Sequence, residues 1–450
     1  MKRVFVKAGL AIMAMGLLTA CSSSNDIESV PEQPGQEQSG QADPQDEQES
    51  QESEAQEPDD EVVYMLPQTR AIELTQEQRA FAKKNNDFTF NFYRTLHASQ
   101  QEKKSNVTSP LSVTYVMGML NDGATGKTLE EITNVLGFGD GDKTALNAYC
   151  QALITQAPLA DPSVTLEMAD IVAADDDVVF EDQYKKDMQD YYEAEVTSLD
   201  FADPASLDYL NGWCNEKSHG MIPEILDELS PEAKLVLMNA IYFKASWTEK
   251  FDEKDTKVET ITKADGTTVQ VPMMKRNADI LYNANDIFSS VCLPFGTGDR
   301  YLMYVLLPSE GKTVDDVINA LTNDYWEQNR RGEPTCVKLS LPRFETDSDF
   351  KLNEIISQMG APTMFDIDKA EFPNMSQNYK NLYVSLMKQK AAIEVSEEGA
   401  KASAVTVATM DLSMNLFDKT ATFNANRPFV YLIQEWDTGA IFFIGTFQGD

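Results

Sequence analysis

Between Leu235 and Trp247 the chain reads LVLMNAIYFKASW, an apolar run rich in β-formers that predicts a strand buried on both faces. Other stretches show a helical period instead. In LTQEQRAFAKKNNDFTFNFYRTLHAS, Phe81, Phe88, Phe90, Tyr93 and Leu96 recur at helical spacing behind Thr75, a capping residue. Pro110 opens an almost wholly apolar helix, and a Gly-rich turn leads from it into a second, amphipathic one. SVTLEMADIVAADDD reads as a strand, YKKDMQDYYEAEVTSLDF as a helix entering a strand, and SLDYLNGWCNEKSHGMIPEIL as a helix ended by Gly220. The Asp-Gly pair in ETITKADGTTVQVPMM sits between alternating arms and predicts a hairpin. SSVCLPF and YLMYVLLPS predict paired strands, and VKLSLPRFETDSDF predicts one more. LNEIISQMG is a short helix with Gly360 past its end, and RPFVYLIQEWDTGAIFFIGTF a terminal hairpin. Helices and strands mix without a βαβ rhythm or a repeat. The class is therefore α+β, a single domain over residues 72–450.

One stretch departs from ordinary core patterning. LYVSLMKQKAAIEV reads as a strand and runs straight into SEEGAKASAVTVATMDLSMNLF. There Ala400, Ala402, Ala404, Thr406, Ala408 and Met410 fall on one side of an extended chain, and Lys401, Ser403, Val405, Val407, Thr409 and Asp411 on the other. Ala favours a helix, but Val405-Thr406-Val407 opposes one because β-branched side chains lose rotamer freedom there. The pattern predicts a strand whose inner face is small.

Charge divides the chain. The net charge of -36 argues against a nucleic-acid partner, because phosphate contacts need Lys and Arg on the protein. Residues 22–61 hold fourteen Asp or Glu, no Lys or Arg, and many Gln, Ser and Pro. Such a segment buries too little apolar surface to offset its ordering entropy, so residues 21–71 are expected to be a disordered acidic linker. Ahead of it, MKRVFVK is basic, AGLAIMAMGLL is too short for a comfortable span, and LTAC follows. Residues 1–20 resemble a bacterial lipoprotein signal peptide whose lipobox ends at Cys21. That resemblance implies cleavage before Cys21 and lipidation on it. Ser22 does not resemble the Asp that retains such lipoproteins in the inner membrane, so an outer-membrane anchor is expected, with the folded part held clear of the bilayer on its spacer.

Candidate chemistry is sparse. Cys150, Cys214, Cys292 and Cys336 are scattered without a CxxC, which opposes a disulfide framework or zinc site and reads as buried thiols. The two histidines, His97 and His219, lie in no catalytic context and read as surface or capping residues, so a Ser-His-Asp or Cys-His hydrolase lacks its base. No Gly-rich phosphate loop occurs. The residues point away from an enzyme, and to no metal or cofactor.

Several segments together resemble the serpins, from roughly Ile72 to the end. NVTSPLSV looks like the family's Asn-x-x-x-Ser-Pro-x-Ser segment, and LVLMNAIYFKASWTEKF like its central strand, with Asn239, Lys244 and Trp247 in place. VPMMKR, LPRF and ANRPFVYLI…GAIFFIGTF follow in order. The resemblance implies the serpin fold, with three β-sheets, surrounding helices and an exposed reactive centre loop over about residues 397–418. It implies inhibition by suicide trapping: a serine protease cleaves the loop, the freed arm inserts as a new strand into the large sheet, and the acyl-enzyme is dragged and distorted.

On this reading Glu397, Glu398, Gly399, Ala400, Ala402, Ser403 and Ala404 form the hinge. Ala400 stands where Thr or Ser is usual and Lys401 where Glu is common, but no bulky, charged or Pro residue lies on the inner face. Counting in from Gly399 places the reactive bond at Ser413-Met414; counting back from FNANRPF places it at Met414-Asn415, and Leu412 or Met410 would serve a protease that docks slightly out of register. No Lys or Arg lies between Lys401 and Lys419, which argues against a trypsin-like target and favours elastase-, chymotrypsin- or subtilisin-like enzymes, with a papain-like cysteine protease as a further candidate. Ser109, Ser112, Asn239, Trp247 and Gln389 form the sheet-opening region, with Gln389 in place of a His that many animal serpins carry. NAYCQALITQAPLADPS carries no cation, so no glycosaminoglycan cofactor is expected. The expected partner is a target protease held as a covalent acyl-enzyme, by a monomeric inhibitor that meets the membrane only through its lipid. The alternative is a non-inhibitory serpin serving as a binding or chaperone module.

Overall fold

A computed structural model of the chain describes residues 68–139, 143–379, 382–400 and 419–450. The first helix, Gln76–Ser99, starts where Thr75 and Gln78 close a reciprocal capping box, with Gln78 N–H donating to Thr75 Oγ1 and Thr75 N–H to Gln78 Oε1. Such a cap contributes about 1 kcal/mol. The chain already joins the fold before that helix, since Arg70 N–H donates to the Ala160 carbonyl.

Helix Pro110–Gly123 is buried along its whole length and contacts both sheets. That explains a sequence with no polar stripe. On one side of it lies a six-stranded sheet. Its order is Phe344–Lys351, Leu386–Val395, Gly399–Ala400, Leu235–Ser246, Val164–Asp175 and Glu195–Leu199. The central strand Leu235–Ser246 divides its side chains by alternation. Leu235, Leu237, Ile241 and Phe243 enter the main core, while Val236, Met238 and Ala240 enter a second cluster with Ile171, Leu210 and Trp213. Helix Pro204–Lys217 covers that second face.

The remaining strands form a nine-stranded network, ordered Asn106–Thr108, Ile441–Phe447, Phe429–Glu435, Tyr301–Pro308, Phe288–Phe295, Thr268–Ala284, Glu333–Pro342 and Thr420–Asn424, with Lys257–Thr262 also on Thr268–Ala284. Where the resemblance implied three sheets, the hydrogen-bond ladders among the described residues therefore form two networks. The reason is the 17-residue strand Thr268–Ala284, which pairs Glu333–Pro342 along Met273–Tyr282 and Phe288–Phe295 at its last three residues, and so joins two sheets.

Two local expectations also change. VKLSLPRFETDSDF is two strands, Glu333–Pro342 and Phe344–Lys351, one in each network, and Arg343 is the junction between them. Among the described residues no cysteine forms a disulfide, and Cys336 is only half-buried. Burial pushes the Cys150, Cys214 and Cys292 thiols up, so they stay protonated at neutral pH.

Candidate functional site

The six-stranded sheet is closed at one end and split at the other. Strands Leu386–Val395 and Leu235–Ser246 are parallel neighbours, but their ladder covers only four pairs, from Leu386 with Val236 to Gln389 with Asn239. Past Gln389 the strands part. At the far end of the split lies Gly399–Ala400, a two-residue strand antiparallel to both neighbours: Ala400 pairs Val395 on one side and Ala245 on the other, and Gly399 pairs Ser246. The chain thus turns back at the end of one strand and starts down the cleft beside it.

At the closed end, one row of residues crosses the sheet in register: Asp170, Asn239, Gln389 and Phe350. Gln389 ties its strand to the start of the buried helix. Its Nε2 donates to the Ser109 carbonyl at 2.8 Å, and its Oε1 accepts from Ser109 N–H at 3.1 Å and from the Thr108 hydroxyl. Ser109 caps that helix, accepting from Ser112 N–H, and Ser112 Oγ donates to Ser109 Oγ at 2.9 Å. The structure therefore brings Ser109, Ser112 and Gln389 together. Asn239 turns away from the serines, its Nδ2 donating to Asp170 Oδ1 at 2.9 Å.

Asp170 was missed in the sequence reading. The signal for it is alternation: a carboxyl in LEMADIVAA on the same side as Leu166 and Val172, both in the main core.

Trp247 does not lie with these residues, as the sequence reading had grouped it. It follows the other end of the central strand and holds the turn at the mouth of the split. Its Nε1 donates to the Ser396 carbonyl and its backbone N–H to the Glu398 carbonyl, both at 2.8 Å, while its ring stacks on Phe295 with centroids 4.4 Å apart.

Around the same turn, Phe251 N–H donates to the Glu397 carbonyl, and Arg343 grips the Glu397 carboxylate through Nε at 2.9 Å and Nη2 at 2.6 Å. Thr256 Oγ1 adds a third donor at 2.6 Å, and Lys250 pairs with Glu398. Burial alone would raise the Glu397 carboxyl; Arg343 and Thr256 more than offset it and hold the carboxyl below its ordinary value. Gly399 sits at φ 142°, where a Cβ would meet the Ala245 carbonyl oxygen at 2.2 Å and Ser246 Cα at 2.6 Å. Both are backbone atoms, so only glycine lets the turning chain approach the strand this closely.

The rest of the expected site lies outside the described residues: Ala402, Ser403 and Ala404 of the hinge, the bond candidates Ser413, Met414 and Asn415, and Cys21. His97 is buried rather than superficial, with Nε2 2.7 Å from Asp315; burial lowers its pKa against the pull of that carboxylate. His219 lies at the surface beside Glu167 and against Tyr242. Among the described residues no cluster of three or more His, Cys, Asp or Glu is arranged to hold a metal ion, and no helix is long and apolar enough to cross a membrane.

Comparison with known proteins places this geometry in context. A family model described as Serpin (serine protease inhibitor) matches residues 83–448. An uncharacterized serpin-like protein of Thermococcus kodakarensis is 31% identical over 367 residues, covering 80% of this chain and 83% of the relative. The native state of the thermophilic serpin tengpin superposes with a TM-score of 0.75 at 27% identity, over 84% of this chain and 95% of that one. Human thyroxine-binding globulin complexed with its hormone gives the same TM-score at 25% identity, over 82% and 98%.

Two outcomes are expected at the turn. Gly399→Ala forces backbone away from the central strand and lowers stability by about 1–3 kcal/mol; an unchanged unfolding midpoint contradicts the seating of Gly399–Ala400. Glu397→Gln lowers the midpoint at pH 7 by loosening Arg343. Because the wild-type carboxyl is depressed, its contribution is complete above the ordinary glutamate value of 4.5 and is lost as the pH falls below it. Thermal unfolding from pH 7 to pH 3 should show the two proteins converging on the acid side.

Proposed function

The chain belongs to the serpin family, whose members are mostly protease inhibitors, and we propose that it inhibits serine proteases by suicide trapping through its 397–418 segment. The observation that carries this reading is the split sheet with Gly399–Ala400 already seated in its mouth. Continuing the two ladders down the cleft gives one register from both sides. Ala402 falls between Ile393 and Phe243, and Ala404 between Ala391 and Ile241. Thr406 falls between Gln389 and Asn239, and Ala408 between Met387 and Leu237. Gln389 with Asn239 and Met387 with Leu237 are partners in the closed sheet, so the two extrapolations agree without a bulge.

In that register the even-numbered residues enter the face of Leu237, Ile241 and Phe243, the main core. Small side chains there let the arm pass. The odd positions take the other face, where Lys401 comes opposite Glu394 on one strand and Lys244 on the other. Thr406 arrives with a hydroxyl at the row that must part.

The chemistry is that of an interrupted hydrolysis. The protease serine oxygen bonds to the carbonyl carbon of the bait residue, the peptide C–N bond breaks, and the new amine leaves with its proton. The arm, freed on that side, zips into the cleft with the acylated protease attached. About a dozen residues joining two ladders at about 1 kcal/mol per hydrogen bond rival the 5–15 kcal/mol stability of a whole domain. That is enough to distort the enzyme before water completes the cycle. The bait bond is Ser413-Met414 or Met414-Asn415. The absence of Lys and Arg over 402–418 directs it to enzymes with small or apolar primary pockets. The proposal extends to residues 1–71: removal of 1–20, lipidation of Cys21, and an acidic tether holding a monomeric inhibitor on the bacterial outer membrane.

The test mixes the protein with pancreatic elastase, chymotrypsin, subtilisin and trypsin, runs denaturing gels, and weighs the released C-terminal peptide. A denaturant-resistant adduct is expected with a non-tryptic enzyme, the peptide mass fixing the bond. Cleavage without adduct by every enzyme would favour a binding module instead. Face parity sharpens the test. Ala404→Asp places a charge in the core on insertion and should cut adduct yield at least tenfold while cleavage continues, whereas Ser403→Asp on the outer face should leave most of it. Equal effects of the two would refute the register.

A further inference from the structure

The row at the closed end holds a titratable group that the trapping chemistry does not use. Asp170 is 2% exposed, and among the described residues its hydrogen-bond donor is Asn239 Nδ2, which serves Oδ1. Among those residues Asp170 Oδ2 is buried without a partner, as is Asn239 Oδ1 beside it. The groups that interact with the carboxyl come from two helices and the central strand. The buried helix contributes Tyr115, whose phenolic oxygen is also buried and unpartnered, with Tyr301 beyond it. Helix Lys143–Gln156 contributes Cys150, and burial keeps both Tyr115 and Cys150 neutral. The central strand contributes Asn239 alone. At the sheet edge a cavity of about 350 Å³ reaches Asp170, with Glu167, Glu193, Glu195 and Lys217 in its wall. Lys217 is the sole cation in that wall, and three other carboxylates share it.

This is a poor place for a carboxylate and a good one for a carboxylic acid. The ionised form has one donor and no adjacent countercharge. The neutral form brings a proton on Oδ2 into a layer with unpartnered oxygens. Burial pushes the carboxyl up to about 7, against a lowering pull from Asn239.

We propose that Asp170 is a positioning residue of the sheet-opening step: its acid form holds the closed row with Asn239 and Gln389 together, and its carboxylate form loosens it, so loop insertion quickens as the pH rises. The inference rests on the trapping reading, because opening this row is what admits Thr406. The mechanism is differential solvation. Parting the row lets water reach the carboxylate, which relieves the charged form and gives the neutral form nothing. The sign follows from linkage. A carboxyl raised above its unfolded value of 3.8 contributes stability that is complete below that value and is lost as the pH rises toward 7.

The experiment compares the full wild-type chain with Asp170→Asn, which keeps shape and hydrogen-bonding capacity but cannot titrate. Two quantities are read between pH 5.5 and 8.5: the thermal unfolding midpoint, and the rate of adduct formation with one trapped protease. The wild-type midpoint should fall with pH relative to that of the variant. The wild-type rate, divided by that of the variant to cancel the protease's own pH dependence, should rise several-fold between pH 6 and 8. Parallel profiles in both measurements overturn the proposal. If no protease forms an adduct, the trapping reading fails, while the midpoint comparison still decides whether Asp170 titrates as argued. Should Asp170→Asn not fold, infrared difference spectra of the wild type carrying 13C-labelled aspartate replace it; no aspartic acid losing its proton between pH 6 and 8 overturns the proposal.

Discussion

Everything in this protein turns on a ladder that stops after four pairs. Leu386–Val395 and Leu235–Ser246 are neighbours in a sheet, yet they share hydrogen bonds only from Leu386 to Gln389 and then separate. Two strand edges facing each other across a cleft leave a place for one more strand, and backbone groups gain most where they complete a ladder away from water. The chain that would fill the place is attached at its mouth. On the proposed trapping mechanism, the closed sheet is a compact state with a more fully paired alternative available to its own sequence.

Two fixtures hold that alternative off and aim it. At the mouth, Arg343, Thr256, Lys250 and Trp247 grip the Ser396–Gly399 turn, so on the proposed mechanism the arm would be rooted in register before it moved. At the other end, Gln389 is tied to Ser109 and Thr108, and Asn239 to Asp170. Opening requires that row to part over the buried helix Pro110–Gly123. The row is polar in an otherwise apolar layer, which makes it specific in geometry and limited in strength. A wholly apolar row would seal the sheet by packing alone and offer an incoming hydroxyl nothing.

Much of this architecture was legible in the sequence. A run such as Leu235–Trp247 announces burial on both faces, and Thr75, Gly360 and the Asp-Gly turn announce their elements because each answers a local backbone demand. Side-chain size on alternate positions after Gly399 is likewise a property of the chain itself, but of that stretch only Gly399–Ala400 lies among the described residues, where it is a strand. What failed was neighbourhood. Alternation tells which face a residue takes and not which strand lies beside it. Arg343 therefore went unread as the point where one apparent strand passes between two networks, and the long strand Thr268–Ala284 as the bridge that joins them. Trp247 was known to matter but was assigned to the wrong end of the split. His97 and Cys336 were misjudged because the burial of a single polar residue depends on distant elements. Asp170 was missed although its parity with Leu166 and Val172 was visible.

The central claim is that residues after Gly399 complete the sheet once they are cut free. The most direct measurement is the thermal unfolding midpoint of the protein before and after one cleavage within residues 401–418, with both fragments retained. The account predicts a large rise on cleavage, as a broken chain becomes the more stable molecule by gaining a strand. A midpoint that stays the same or falls would contradict it.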